Sequence, residues 1–197
     1  MVAAVLIMVL LIDQLIKIYI KTHFYIGEDY TIFPWFHLRF IQNNGMAFGM
    51  ELGSKLFLSL FRLLAICLLG WYLVRLCRKR LMSLGYVATI ALITAGAAGN
   101  LIDCAFYGDI FNNPYPPEVA TFVPFGTGYS SFFHGYVVDM FYFPLFTFSL
   151  GGHEYTFFEP VFNFADAAIT VGMAILIIGY YKELGATEKE LEHRKER

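Results

Sequence analysis

The sequence predicts an all-α integral membrane protein with four transmembrane helices. Of its 197 residues, 58% are hydrophobic and only 15% are charged, a balance that is typical of membrane proteins. Four apolar runs are long enough to cross a bilayer, and polar or aromatic connectors separate them. Lys and Arg occur up to Arg80 and again from Lys182 onward, with none between. The length suits one compact helical bundle, so we expect a single membrane domain over residues 1–197.

The first predicted transmembrane helix covers about residues 2–21. It lacks the basic start and the small-residue cleavage site of a signal peptide, so we expect it to be retained. Asp13 and Lys17 lie four residues apart with the acid first, which is the favourable order for a helical ion pair. Such a pair either orients the helix structurally or belongs to a functional site, and the spacing alone leaves both interpretations open.

The other three predicted crossings cover about residues 55–76, 82–106 and 161–181. The third helix contains small residues from Gly96 to Gly99, which would let another helix approach closely in lipid. Two polar pairs share a spacing of three residues, which places the members of each pair on one helix face: Asn100 with Asp103, and Asn163 with Asp166.

Two long connectors join these crossings, at about residues 22–54 and 107–160. Residues 35–41 mix aromatic and polar side chains in short alternation, as a half-exposed strand would. Gly151 and Gly152 predict the turn of a hairpin between residues 140–148 and 154–158.

Charge distribution predicts the orientation in the membrane. Four of the six residues from Arg75 to Arg80 are Lys or Arg, and the tail from Lys182 to Arg197 is also charged. Since basic segments stay in the cytoplasm, both termini are predicted to be cytoplasmic and both long connectors to lie outside. The polar residues of the helices and connectors then converge at one depth near the outer face: Asp13, Asn100, Asp103, Asp139 and Asp166.

Convergence of aspartates permits a specific chemistry. Two carboxylates brought close together cannot both ionise cheaply, so the pair holds one shared proton. The ionised member can take a proton from water while the neutral member assists an amide carbonyl, which suits peptide hydrolysis. We select Asp139 and Asp166 for this pair. By spacing alone the aspartates also fit a structural role or proton carriage.

Two rival functions remain open at this point. A proton-coupled transporter would use Asp13, Asp103 and Asp166 as carriers, but the sequence shows no internal symmetry of the kind that such proteins have. A non-catalytic membrane scaffold would use none of them chemically. Other chemistries have less support, because no His-Glu-x-x-His segment, Gly-x-Ser-x-Gly elbow, phosphate loop or basic nucleic-acid stripe occurs. We therefore expect no metal, no cofactor and no nucleic-acid partner. Three cysteines do not suggest a disulfide framework, so we expect all three to be reduced.

Several segments occur in an order that is highly specific when taken together. They are Asp13-Gln14-x-x-Lys17, Asn43-x-Gly45-Met46-Ala47-Phe48, Gly99-Asn100-Leu101-Ile102-Asp103, Val138-Asp139-Met140 and Phe162-Asn163-x-Ala165-Asp166. In this order they resemble the bacterial lipoprotein signal peptidases, or type II signal peptidases, from the first helix to the start of the fourth.

The resemblance implies an aspartyl endopeptidase of the bacterial cytoplasmic (inner) membrane, with four transmembrane helices and a small extracytoplasmic β-cradle. Such an enzyme removes signal peptides from prolipoproteins, cutting just before a cysteine that carries a diacylglyceryl group. Its partners are these substrates, membrane lipids and the inhibitor globomycin, and we expect a monomer. By motif match, Asp139 and Asp166 carry over as the catalytic pair. The motif match also implies that the following residues shape or support the site: Asp13, Lys17, Asn43, Gly45, Asn100, Asp103 and Asn163.

The chain departs from the family pattern at two places. The Gly-Asn-x-x-Asp motif is usually followed by Arg, and here Cys104 takes that position. A missing guanidinium removes hydrogen-bond donors, so its role either passes to another donor or is lost. The connector between Asp103 and Asp139 is also longer than usual. Its extra segment, about residues 111–133, fits either a flap or rim over the site or a tolerated surface insertion.

Overall fold

The computed structural model describes residues 1–44, 55–79 and 82–185. This part of the chain forms six α-helices, one π-helical turn and five β-strands. In chain order they are α1 (Val2–His23), β1 (Asp29–Phe33), β2 (Phe36–Asn43), α2 (Lys55–Lys79), α3 (Leu84–Ile102), the π-helical turn (Asp103–Tyr107), α4 (Gly108–Ile110), β3 (Val137–Tyr142), β4 (Phe146–Leu150), β5 (His153–Phe157), α5 (Phe164–Gly179) and α6 (Tyr181–Leu184).

Three helical segments within the described ranges are long and apolar enough to cross a membrane. They are Val2–His23, Lys55–Lys79 and Leu84–Ile110, the last of which continues α3 through the π-helical turn and α4. The predicted fourth run forms α5, which is apolar but has 16 residues because it begins after Asn163 and ends before Tyr180. The multi-pass helical character is therefore confirmed, whereas helix length does not confirm the count of four spans.

Helix α3 lies at the centre and packs against α1, α2 and α5. A side chain added at Gly96 would meet the carbonyl oxygen of Ala165 in α5, and one added at Gly99 would meet the carboxylate of Asp13 in α1. The predicted close approach at the small residues is thus confirmed. Helix α2 packs against α3 at the edge of this group, and many of its large apolar side chains face outward, as lipid contact requires.

A three-stranded antiparallel sheet with the order β1-β2-β3 lies beside one end of the helices. In its register, Asn43 at the end of β2 pairs with Val137, and Asp139 pairs with Ile41. The residue before the α5 cap is tied to the same sheet, because Phe162 and Phe141 exchange backbone hydrogen bonds of 3.0 and 2.7 Å. The end of β2, the middle of β3 and the start of α5 are thereby held together.

Strands β4 and β5 form a separate two-stranded hairpin. The turn is at Gly151 and Gly152, where φ angles of +62° and +83° favour glycine. The predicted turn and the predicted strand at 35–41, now β2, are confirmed. The prediction of one strand over 140–148 is wrong, because Pro144 lacks the N–H that a continuous strand would use and separates β3 from β4. With two sheets among the described residues, the all-α class is not confirmed.

The inserted segment at 111–133 is folded against α4. Val123 donates to the carbonyl of Ile110 at 2.9 Å, and Ser130 donates to that of Gly108 at 3.0 Å. The Gln42 side chain on β2 donates to Asn113 Oδ1 at 2.8 Å, which joins the segment to the sheet. The segment is therefore an ordered layer beside β2, next to Asn43.

Lys21, in the last turn of α1, also contacts the inserted segment. Its side chain is fully buried, and its Nζ lies 5.3 Å from the ring centre of Phe111, 5.1 Å from that of Tyr129 and 5.9 Å from that of Phe40. An ammonium group is attracted to the faces of aromatic rings. The rings thus stabilise this buried charge and link α1 to the insertion.

Candidate active site

Asp139 lies in the middle of β3 and is 2% exposed. Its Oδ1 accepts a hydrogen bond of 2.6 Å from Asn163 Nδ2, and its Oδ2 accepts one of 3.0 Å from Asn43 Nδ2. Burial, followed by the negative charge of Asp166, raises the pKa of Asp139 from 3.8 to about 7, against the opposing effect of the two amides. A carboxyl group in this setting holds a proton close to neutral pH.

Asp166 lies in the first turn of α5, where it forms a reciprocal cap with Asn163. The backbone N–H of Asp166 donates to Asn163 Oδ1 at 2.9 Å, and that of Asn163 donates to Asp166 Oδ2 at 3.3 Å. The other carboxylate oxygen, Oδ1, accepts a hydrogen bond of 2.7 Å from Asn100 Nδ2. The cap that begins the helix therefore also orients this carboxylate.

Asn163 joins the two aspartates. Its fully buried amide donates to Asp139 and accepts from the backbone of Asp166, so one side chain contacts both residues. Its Nδ2 also donates to Asn100 Oδ1 at 3.0 Å. Because Phe162, the preceding residue, is bonded to β3, neither strand nor helix can shift without disturbing this link.

Asn100, near the end of α3, connects this pair to a buried cation. Its Oδ1 accepts from Lys17 Nζ at 2.9 Å as well as from Asn163. An amide oxygen occupied by two donors leaves the Nδ2 group facing the other way, towards Asp166. Lys17 thus fixes the orientation of the amide that holds the second carboxylate.

Lys17 lies between the carboxylates of Asp13 and Asp103. Its Nζ is 3.0 Å from Asp13 Oδ2 and 2.9 Å from Asp103 Oδ2, and all three side chains are fully buried. Asp13 Oδ1 accepts from the backbone N–H of Ala165 at 2.9 Å, and Asp103 Oδ2 accepts from that of Val138 at 3.2 Å. Each carboxylate therefore reaches the residue next to one of the paired aspartates.

Sequence reasoning missed two members of this network. Gln14 Nε2 donates to Asp13 Oδ2 at 3.1 Å and to Asp103 Oδ1 at 3.0 Å. Tyr107 donates its hydroxyl to Gln14 Oε1 at 3.1 Å. Gln14 lies between Asp13 and Lys17 in a run that is apolar apart from these three residues, and that position was the signal that could have identified it.

The structure brings all but one of the predicted site residues into this single network. Those assembled are Asp13, Lys17, Asn43, Asn100, Asp103, Asp139, Asn163 and Asp166. Gly45 lies outside the described residues, as do Met46, Ala47 and Phe48 of the same motif.

At position 104 a thiol stands beside Asp103, and a cation from another helix reaches it. Arg62 Nη1 in α2 lies 3.0 Å from Cys104 Sγ, within hydrogen-bonding distance. All three cysteines are free. Over residues 1–44, 55–79 and 82–185, no group of three or more His, Cys, Asp and Glu side chains is placed to hold a metal ion.

This arrangement can act on an amide by acid–base chemistry. One carboxyl group has a pKa raised into the neutral range by its burial and by a second carboxylate, and the shared amide of Asn163 keeps the two in register. A proton donor next to a proton acceptor is suited to acid–base hydrolysis of a peptide bond.

Comparison with known proteins gives consistent results. A family model described as signal peptidase (SPase) II matches residues 5–182. A lipoprotein signal peptidase of Porphyromonas gingivalis is 47% identical over 186 residues, covering 91% of this chain and 82% of the relative. A lipoprotein signal peptidase of Amoebophilus asiaticus is 33% identical over 180 residues, covering 85% of this chain and 72% of the relative.

Two solved structures of bacterial membrane enzymes, obtained by the in meso method, share the fold. One, at 2.3 Å resolution, matches with a TM-score of 0.63 and 24% identity, and the match covers 96% of this chain and 93% of the chain in that structure. The other, at 1.9 Å resolution, has a TM-score of 0.60 and covers 90% of each chain.

Proposed function

This chain belongs to the signal peptidase II family, and on that premise we propose that it is an aspartyl endopeptidase that cleaves diacylglyceryl-modified prolipoproteins just before the lipidated cysteine. Membership in the family makes it a membrane protease that removes signal peptides from prolipoproteins. The aspartyl mechanism and the lipid on the substrate are the parts that this proposal adds.

Asp139 and Asp166 are the catalytic pair of this proposal. The observation that carries it is the contact of one buried amide, that of Asn163, with Asp139 Oδ1 and with the backbone of Asp166. Burial, and then the negative charge of Asp166, raises the pKa of Asp139, and this rise supports a proton shared by the pair. Asp13, Lys17, Asn43, Asn100, Asp103 and Asn163 then serve to position the pair.

The reaction begins with a water molecule between the two carboxyl groups. Asp166 takes a proton from the water as its oxygen attacks the scissile carbonyl carbon, and Asp139 gives its proton to the carbonyl oxygen. The tetrahedral intermediate collapses when the amide nitrogen receives the proton from Asp166 and the hydroxyl proton returns to Asp139. The C–N bond breaks, and both carboxyl groups regain their starting states.

The location of this pair suits a substrate that is anchored in lipid. Asp166 lies in the first turn of an apolar helix, and Asp139 lies in a sheet beside the helix ends. In the proposed orientation, this position supports access for a lipid-linked peptide at the boundary between bilayer and water. A substrate of this kind approaches sideways from the bilayer. Membrane lipids are therefore the immediate surroundings of the reaction, and globomycin would compete for the same site.

We further propose four crossings in the bacterial cytoplasmic (inner) membrane, with α5 as the fourth and both termini in the cytoplasm. The basic residues at the end of α2 and the absence of Lys and Arg between Arg80 and Lys182 support this orientation. The site then lies near the outer face. The chain acts as a single membrane domain and as a monomer, without a metal or another cofactor.

The deciding experiment is turnover of a diacylglyceryl-modified prolipoprotein by the purified protein. We expect Asp139→Asn and Asp166→Asn each to lower kcat by at least about 1,000-fold, because each removes a proton acceptor or donor that the reaction needs. A matched control is Asp29→Asn, which removes an exposed carboxylate on β1 at the far side of the sheet. Normal turnover by either Asp139→Asn or Asp166→Asn would refute the catalytic pair.

A further inference from the structure

One face of α2 carries polar side chains towards the site. Lys55, Ser59 and Arg62 follow at intervals of four and three residues, which places them on the same side of the helix. Ser59 Oγ donates to the carbonyl of Phe133 at 2.9 Å, and Lys55 Nζ lies 3.4 Å from the ring centre of Tyr136. This face is thus turned towards the segment that leads into β3.

Arg62 is the deepest of the three in the helix. A guanidinium group has five N–H donors, and a thiol is a weak acceptor. Among the residues that the structure describes, Cys104 Sγ takes one of these donors and no carboxylate pairs with the cation. An arginine within a membrane helix is unfavourable unless its N–H donors are satisfied, and a weak acceptor such as Cys104 Sγ does little to satisfy them, which points to a further role for Arg62.

The neighbours of Cys104 connect Arg62 with the catalytic strand. Cys104 follows Asp103, whose carboxylate accepts from the backbone of Val138, the residue before Asp139. The carbonyl of Cys104 accepts from the backbone N–H of Gly135 at 2.9 Å. The guanidinium therefore flanks the chain segment that enters β3, on the side that α2 covers.

We propose that Arg62 is a substrate-binding residue whose remaining N–H donors bind main-chain carbonyl oxygens of the signal peptide beside the scissile bond. The inference rests on the proposed function. A peptide that lies along the site presents carbonyl oxygens, and a planar guanidinium can bind two of them at once. The donor that is absent at position 104, in the π-helical turn, is in this way supplied from α2.

The first test compares Arg62→Ala with the wild type in mixed micelles that contain the lipidated prolipoprotein. We expect kcat/KM to fall about 10- to 100-fold, mainly through a higher KM, because a charge-assisted hydrogen bond to bound substrate is lost. The substitution makes α2 more apolar and so does not hinder its insertion. The matched control is Arg75→Ala on the same helix, about 20 Å further along, which should leave kcat and KM unchanged.

The second test moves the guanidinium to the neighbouring helix. The double variant Arg62→Ala/Cys104→Arg exchanges a large and a small side chain across the 3.0 Å contact, and we expect it to recover most of the lost kcat/KM. Cys104→Arg alone should lower activity, since it crowds two cations in one place. Arg62→Lys keeps the charge but not the planar fork and should give an intermediate KM.

These variants separate the inference from the proposed function. If the wild type cleaves and Asp139→Asn does not, but Arg62→Ala matches the wild type, the inference fails while the proposed function stands. An equal loss in the single and double variants makes Arg62 a structural residue and also overturns the inference. If Arg62→Ala does not fold, the kcat/KM of the folded double variant decides whether the inference holds. If neither the double variant nor Arg62→Lys folds, the result counts against the inference.

Discussion

At the scale of single residues, the proposed catalytic role of Asp139 depends on its proton. Its pKa is raised to about 7 by burial and by Asp166, so the group loses its proton as the pH rises through neutrality. We therefore expect kcat/KM to decline above about pH 7. The measurement is a pH profile with the lipidated prolipoprotein, and a constant kcat/KM through about pH 8.5 would contradict the assigned role.

The raised pKa of Asp139 also determines how the free energy of unfolding changes with pH. The folded protein binds the proton on Asp139 more tightly than the unfolded chain does, so the free energy of unfolding is highest where both hold it, below about pH 4. It then falls as the pH rises towards about 7. The slope contributed by this one group is at most about 1.4 kcal/mol per pH unit. Asp139→Asn should remove that slope, which unfolding measurements in detergent at several pH values can check.

Lys17 offers a second prediction at this scale. Replacing it by Met leaves Asp13 and Asp103 buried without their shared cation, and we expect the free energy of unfolding to fall by about 3–5 kcal/mol. Lys17→Met combined with Asp103→Asn removes one of the stranded charges and should recover part of the loss. If Lys17→Met has the same free energy of unfolding as the wild type, Lys17 does not neutralise the buried charges of Asp13 and Asp103.

At the scale of secondary-structure elements, the approach of α5 to α3 depends on the absence of a side chain at Gly96. A Cβ there would lie 2.5 Å from the carbonyl oxygen of Ala165, so Gly96→Ala should destabilise the protein by about 1–3 kcal/mol. Gly70 in α2 is the matched control, because a Cβ there meets nothing within 4 Å. Gly70→Ala should stabilise by up to about 1 kcal/mol through helix propensity.

Both variants can be compared by denaturant unfolding in one detergent. Equal effects of Gly96→Ala and Gly70→Ala would mean that the helices adjust without loss, and that the small residues are not what permits their close approach. A loss of turnover in Gly96→Ala alone would show that the α3–α5 distance also sets the geometry around Asn100 and Asp166.

Local spacing predicted some elements and contacts but not others. The Asp13–Lys17 pair and the shared face of Asn163 and Asp166 follow from helix periodicity, and both are present. The second partner of Lys17 is Asp103, which is distant in sequence, so no local pattern points to it. The Arg62–Cys104 contact is hidden for the same reason.

Element ends were also hard to predict from hydropathy. The fourth apolar run begins at Val161, but the helix begins after Asn163, because the reciprocal cap with Asp166 is more favourable than one more turn. Hydropathy reports which residues avoid water and says nothing of where a side chain satisfies the first N–H groups of a helix. The strand break at Pro144 was missed because aromatic residues continue on both sides of it.

At the scale of the whole molecule, the proposed orientation places the two connectors and the chain ends on opposite sides of the membrane. Tyr115 is 91% exposed in the connector between α4 and β3, so Tyr115→Cys should react with a membrane-impermeant maleimide from outside the inner membrane. Lys182→Cys should react only after the membrane is opened. The background is Cys67→Ala/Cys77→Ala, since both cysteines are exposed. Labelling of both positions from the same side would contradict the orientation.

The shortness of α5 has a consequence for the surrounding lipid. Sixteen residues rise about 24 Å, whereas the hydrocarbon layer is about 30 Å thick. If α5 is the proposed fourth crossing, it creates a hydrophobic mismatch, and the neighbouring acyl chains must compress or tilt to match it. Lipid headgroups then lie closer to the capped end of the helix. In the proposed reaction, water therefore crosses less of the hydrocarbon layer to reach the scissile bond of a substrate that is anchored in the bilayer.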